Sequence, residues 1–208
     1  MNKKILITLA CIVLFFMSGL NVEANSIEKM EKNLLESIDI EDSLIQEDEE
    51  YYLYFYRTAC PYCVEVSDVI DSLSKQHKVY TLNCDIEKNR GQKYDWSSSI
   101  HFPKEIGYIN EAGDIIYYPG ESEEKYLNSN DYDQYGHRRR YKIYSNIPDG
   151  QDTEMIYAKM ITPEINYAEV NNWQQITIAG VPTLLHVTNG RIDEFYFDYL
   201  EIKELLYR

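Results

Sequence analysis

Two cysteines separated by a proline and a tyrosine, Cys60-Pro61-Tyr62-Cys63, are the residues of this 208-residue chain best suited to carry chemistry. Thiols at that spacing can close on each other with little backbone movement if the residues between them begin a helix. A cysteine at a helix start meets free backbone N–H groups and the positive end of the helix dipole, and both stabilise a thiolate. A thiolate in that place is an attacking group and a good leaving group, so mixed disulfides form and resolve quickly. Pro61 suits the first helical position because it has no N–H to lose and its φ is already near helical. Half of a zinc site is the competing reading, but zinc needs two more ligands. Cys84, His77, His101, His137 and His186 are available, and none has a paired spacing.

The elements around the motif decide between these readings. Tyr51 to Tyr56 is an almost wholly apolar run without polar alternation, which predicts a strand buried on both faces of a sheet. Val64, Val66, Val69, Ile70 and Leu73 then mark a helix, and Val79 to Cys84 a second short strand, with Cys84 a small core residue. Strand, helix and strand in this order make a βαβ unit with a parallel pair and a right-handed crossover. A C-x-x-C that closes a buried strand and opens a helix fits a redox pair better than half a metal site.

Towards the carboxyl end, residues 164–175 predict a helix with Pro163 at its first turn. Val181-Pro182-Thr183, a strand from Leu184 to Thr188, the turn Asn189-Gly190 and a strand from Ile192 to Phe197 follow. Asp198 can cap a last helix that turns Leu200, Ile202, Leu205 and Leu206 inward. Residues 91–163 hold 10 of the 20 tyrosines and read as an ordered, β-rich insertion. Two hairpins are expected in it: Ile106–Ile109 with Ile115–Tyr118, and Tyr141–Tyr144 with Met155–Ala158.

Composition excludes other classes. With 35 acidic against 20 basic side chains the formal charge is -15, a field that repels phosphate backbones and anionic headgroups. Arg138 to Arg140 is the one compact basic run and reads as a solvated loop. An apolar fraction of 44% is enough to build a core, so neither a disordered chain nor a multi-span membrane protein is expected.

The first 24 residues read as an address. Met1-Asn2-Lys3-Lys4 is a positive start, Ile5 to Leu20 an apolar run, and Val22-Glu23-Ala24 a small-residue cleavage site, the pattern of a secretory signal peptide. An uncleaved anchor is the other reading, because the run falls just short of the ~17–25 residues that span a bilayer. Either reading places the rest of the chain outside the cytoplasm, secreted or on the outer face of a bacterial cell membrane. Loss of Cys11 with the leader leaves Cys60, Cys63 and Cys84, an odd number that fits one redox pair plus a spare thiol better than a stapled scaffold. Residues 26–38 carry a helical stripe of Ile27, Met30, Leu34, Leu35 and Ile38. Glu41 to Glu50, with six acids in ten residues, reads as a solvated linker.

With these pieces in place the chain resembles the thioredoxin superfamily. Cys60-Pro61-Tyr62-Cys63 carries the dipeptide typical of glutaredoxins. Val181-Pro182-Thr183 is similar to the family's cis-proline loop, which lies opposite the redox pair and offers backbone hydrogen bonds to a substrate strand. Thr81-Leu82-Asn83-Cys84-Asp85 resembles the strand after the first helix, and Leu184–Phe197 the closing hairpin. The likeness spans about 51–90 and 164–208. It departs from thioredoxins where they carry a buried acid, here Tyr54, a lysine on the next strand, here Thr81, and a tryptophan beside the motif, here within Arg57-Thr58-Ala59.

The resemblance implies an α/β, thioredoxin-like fold: a central mixed sheet flanked by helices, with the 91–163 insertion before the cis-proline half. It implies a protein-disulfide oxidoreductase in which Cys60 is the nucleophile, Cys63 the buried resolving thiol and Pro182 the shaper of the cleft. Val181, Thr183, Pro61 and Tyr62 would touch substrate. No cofactor or metal is needed, since the disulfide itself carries two electrons. Expected partners are protein thiols and disulfides and a membrane redox partner, with no nucleic acid and the chain monomeric. The alternative is an accessory binding protein of an envelope secretion or bacteriocin export system, docking through the insertion.

Overall fold

The computed structural model describes residues 35–205, so the leader and most of the 26–38 stripe lie outside the described residues. Its fold is mixed α/β, with two principal sheets and few, short helices. The first sheet has five strands, β1 (Glu36–Ser37), β2 (Glu50–Tyr56), β3 (Val79–Asn83), β10 (Thr183–Thr188) and β11 (Arg191–Phe197), in the order β1-β3-β2-β10-β11. β1, β2 and β3 run parallel, and β10 is antiparallel to both β2 and β11. Glu36 and Ser37, near the end of the expected helical stripe, therefore form an edge strand instead, pairing with Tyr80 and Thr81.

β2 is central, and its alternate residues feed two separate cores. Tyr51, Leu53 and Phe55 face one side with Leu82, Leu185, Val187 and Ile176; Tyr52 and Tyr54 face the other with Val66, Val69, Ile70, Leu184 and Ile202. A strand clothed on both faces needs no polar alternation. The second face is covered by α1 (Pro61–Glu65), α2 (Ser67–Leu73) and the last helix, α4 (Asp198–Glu204). Val66 separates α1 from α2 with φ -102° and ψ 0° and is fully buried, whereas Val64 lies 66% exposed instead of on the apolar stripe.

Among the described residues the first face carries no α-helix, contrary to the helix expected over 164–175. It is covered by irregular chain: residues 164–175 form two 3-10 turns, Tyr167–Glu169 and Trp173–Gln175, in place of the expected helix. Asparagine and glutamine side chains take up the backbone groups a helix would use. The Asn172 side chain accepts from the Gln174 N–H, and the Gln175 side chain accepts from the Asn171 N–H. The acidic segment before β2 is likewise only partly a linker. Ile40 and Ser43 are buried, and the Tyr51 hydroxyl donates to the Ser43 carbonyl at 2.8 Å.

The β10–β11 hairpin turns at Asn189 (φ 51°) and Gly190 (φ 72°), the pair of positive φ angles that a two-residue hairpin turn asks for. α4 follows at once, and the Asp198 carboxylate accepts from the Leu200 and Glu201 N–H groups. Ile202 is buried, but Leu200 is turned outward.

The second sheet lies within 104–160: β5 (Lys104–Ile109), β6 (Ile115–Tyr117), β7 (Tyr141–Asn146) and β8 (Met155–Met160), in the order β6-β5-β8-β7. Both expected hairpins are present, with Tyr108 opposite Ile116 and Tyr144 opposite Tyr157. One face packs Ile106, Ile156, Ala158, Ile143 and Tyr141 against Tyr126 of α3 (Glu123–Leu127). A short parallel ladder of β4 (Gln92–Lys93) with β9 (Thr177–Ile178) ties the start of this region to the segment before Pro182. The expectation of a solvated Arg138–Arg140 loop holds for the exposed Arg138 but fails for Arg139 and Arg140 because of the charges they meet. Arg139 pairs with Glu164 at 2.7 Å, and Arg140 reaches Asp198 at 3.0 Å and Glu201 at 3.5 Å, bolting the insertion to α4.

Candidate active site

Cys60 sits where β2 has ended and α1 begins. Its backbone is extended (φ -85°, ψ 114°), Pro61 takes the first helical position, and the Cys63 N–H points at the Cys60 sulfur at 3.2 Å. The sequence produces this locally: proline presets the helical φ, and no side chain competes for the N–H of Cys63. Cys60 is partly exposed and Cys63 is buried, and both are free thiols. That difference sets their chemistry. Burial pushes the Cys63 thiol up to about 12, with the hydrogen bond to Cys60 adding to it, so Cys63 keeps its proton at neutral pH.

Pro182 closes the site from the other side. The Val181–Pro182 peptide bond is cis, and the Cys60 thiol donates to the Val181 carbonyl at 3.6 Å. Val181 is half-buried and Pro182 buried, whereas Tyr62 and Pro61 are exposed on the far side of Cys60. Thr183 has entered β10, opposite Phe55 and Phe197. It is 1% exposed, and its hydroxyl donates to the Gly180 carbonyl at 2.8 Å. It braces the loop from within and presents no side-chain surface to a substrate.

Three further residues shape the site. Tyr54, standing where the resemblance has a buried acid, lies behind the motif and donates from its hydroxyl to the Cys63 carbonyl at 3.3 Å. Burial, with the neighbouring Cys63, holds the Tyr54 phenol well above its ordinary range, so it is a fixed donor and not a base. Tyr199 of α4 stacks on Tyr62 with ring centres 4.8 Å apart, and Lys203 of the same helix pairs with Glu65 at 3.0 Å, so α4 braces α1. Trp96 donates from its indole to the Ala179 carbonyl at 2.8 Å, fixing the approach to Pro182. Nothing in the sequence spacing marks Trp96 or Tyr199. Tyr54 was open to notice, because it shares a strand face with Tyr52 and stands six places before Cys60.

Arg57 is committed elsewhere. It pairs with Asp85 at 2.9 Å, and the Thr58 N–H and Arg57 together hold the Asp85 carboxyl down at about 2. This clasp ties the loop before Cys60 to the end of β3. Cys84 is buried near it, with its thiol pushed up to about 11 by burial, the condition of an inert core thiol. Among the described residues no group of three or more His, Cys, Asp or Glu side chains is placed to hold a metal ion, and no helix is long and apolar enough to cross a membrane.

Comparison with family models, with curated proteins and with solved structures gave no match. The geometry of the site itself therefore has to carry its chemistry.

Proposed function

We propose that this protein is an extracytoplasmic thiol–disulfide oxidoreductase built on a thioredoxin-like fold. One observation carries the reading: a partly exposed thiol and a buried thiol share the first turn of a helix, opposite a cis-proline loop whose Val181 carbonyl meets the exposed thiol. The strand order β1-β3-β2-β10-β11, with β10 antiparallel, supports the fold assignment. The apolar leader over residues 5–20 supports the location.

In the reducing direction the Cys60 thiolate attacks a substrate disulfide. A bond forms between the Cys60 sulfur and one substrate sulfur, the substrate S–S bond breaks, and the other substrate sulfur leaves as a thiolate. Cys63 then gives up its proton, which the departing substrate thiolate can take, and its sulfur attacks Cys60. The mixed disulfide breaks, Cys60 and Cys63 are left as a disulfide, and the substrate keeps two electrons and the proton from Cys63, its second thiolate taking a proton from water. Oxidation of a substrate dithiol is the same sequence reversed. Burial of Cys63 fits the resolving role, because a thiol held protonated does not compete for the first attack. A membrane redox partner would restore the starting state.

The test is turnover of insulin disulfides in the presence of dithiothreitol. Wild type accelerates it and Cys60→Ser does not; equal activity of the two would sink the redox reading, and no activity in either would favour the accessory binding protein.

A further inference from the structure

Two hollows flank the Ala179–Pro182 loop, and both are lined by cations with no carboxylate among them. One, of about 470 Å³, runs from Val181, Gly180 and Ala179 past Arg57 to Arg90 and Lys93. The other, of about 440 Å³, abuts the same loop through Trp96 and Phe197 and carries Lys142 and Lys159. Trp96 holds the Ala179 carbonyl, and the Phe197 ring lies against Gly180, close enough to touch a methyl group placed there. The loop is therefore the wall between them, and Cys60 stands at its end.

This is unusual in a chain with 35 acidic residues. Elsewhere on the described surface cations are mostly matched: Lys78 with Glu36, Lys88 with Asp39, Lys104 and Lys125 with Glu121. Arg90, Lys93, Lys142 and Lys159 make no ion pair among the described residues, and Arg57 alone of the five is matched, by Asp85. Lys142 and Lys159 are also direct cross-strand partners on β7 and β8, an arrangement of like charges that costs stability unless something negative sits between them.

We propose that these hollows form a cradle for a polypeptide whose cysteine is flanked on both sides by acidic residues, so that the cleft selects acidic disulfide substrates. The inference rests on the redox reading above and adds the substrate class to it. The acidic surroundings sharpen the choice: the net negative charge of the chain repels an acidic segment, and this strip of cations offers it a place to lie across Cys60. Charge pairs at such open sites are salt-sensitive, so the selectivity must fall as ionic strength rises.

The probes are two disulfide peptides of equal length, one with Asp and Glu around the cysteine and one with Asn and Gln there, together with glutathione disulfide as a small anionic disulfide. At low salt the acidic peptide is expected to react about tenfold faster than the amide peptide, the lower end of electrostatic steering, with the ratio shrinking in salt. Lys142→Gln/Lys159→Gln and Arg90→Gln/Lys93→Gln should each lower that ratio several-fold. Equal rates for the two peptides, or variants that slow both equally, would overturn the proposal while leaving the redox reading intact. Glutathione disulfide losing as much as the acidic peptide in both variants would also overturn it, because a small molecule would then be the ligand. If no disulfide reacts at all, the redox reading fails, and calorimetry with cysteine-free acidic and amide peptides still decides: equal binding sinks the cradle, and preference for the acidic peptide that the lysine variant loses supports it.

Discussion

The Cys60 sulfur meets the Val181 carbonyl at 3.6 Å although 121 residues separate them in sequence. The sheet makes this meeting. Phe55 of β2 pairs with Thr183 of β10, so the end of one strand and the start of its antiparallel neighbour fall side by side. The chain leaving β2 reaches Cys60 and the chain entering β10 passes Val181 and Pro182. The whole insertion is looped out between them without disturbing the register.

Tyr54 supports the motif from behind. Tyr54→Phe removes the hydroxyl that donates to the Cys63 carbonyl and should lower the stability of the reduced protein by about 1 kcal/mol, the usual net worth of one such bond. Urea unfolding of the two proteins measures it. A variant as stable as wild type would show that the bond contributes nothing.

Burial raises the Cys63 thiol from its ordinary 9.0 to about 12. The folded chain thus holds this proton more tightly than the unfolded chain, so the contribution is full below about 9 and is lost as pH climbs through about 12. Reduced wild type should therefore lose thermal stability relative to Cys63→Ser across that window. Parallel pH profiles of the two would contradict the buried, protonated assignment.

Arg140 joins the insertion to α4 through Asp198 and Glu201. Burial pushes the Glu201 carboxyl up to about 7 from 4.5, with Arg140 pulling the other way. The stability that burial lends the protonated form is full below 4.5 and is lost as pH rises through about 7. Arg140→Ala should cost about 2–3 kcal/mol, less than the loss from a fully buried pair because about a fifth of each side chain is exposed. The cost should be greater at pH 8 than at pH 5, since only the charged Glu201 needs the arginine. Denaturant unfolding at the two pH values reads the difference, and a pH-independent cost would contradict it.

The features legible in the sequence were those that local chemistry dictates. Pro61 begins its helix, the unalternating run of β2 is buried on both faces, Asn189-Gly190 turns the hairpin, and both hairpins of the insertion formed. What stayed illegible depended on distant partners. The helix expected over 164–175 gave way because Asn172 and Gln175 satisfy the backbone locally, and the segment found its burial against β2 and β10 without a helix. Arg139 and Arg140 looked solvated because Glu164, Asp198 and Glu201 become their neighbours only in the folded chain. Trp96 and Tyr199 act on Ala179 and Tyr62 across still longer stretches of sequence.

Trapping of the mixed disulfide tests the central claim most directly. Cys63→Ser incubated with a protein disulfide should accumulate a covalent adduct, and peptide mapping by mass spectrometry should place the linkage at Cys60. An adduct through Cys84, or equal adduct formation by Cys60→Ser, would contradict the assignment of Cys60 as the attacking thiol.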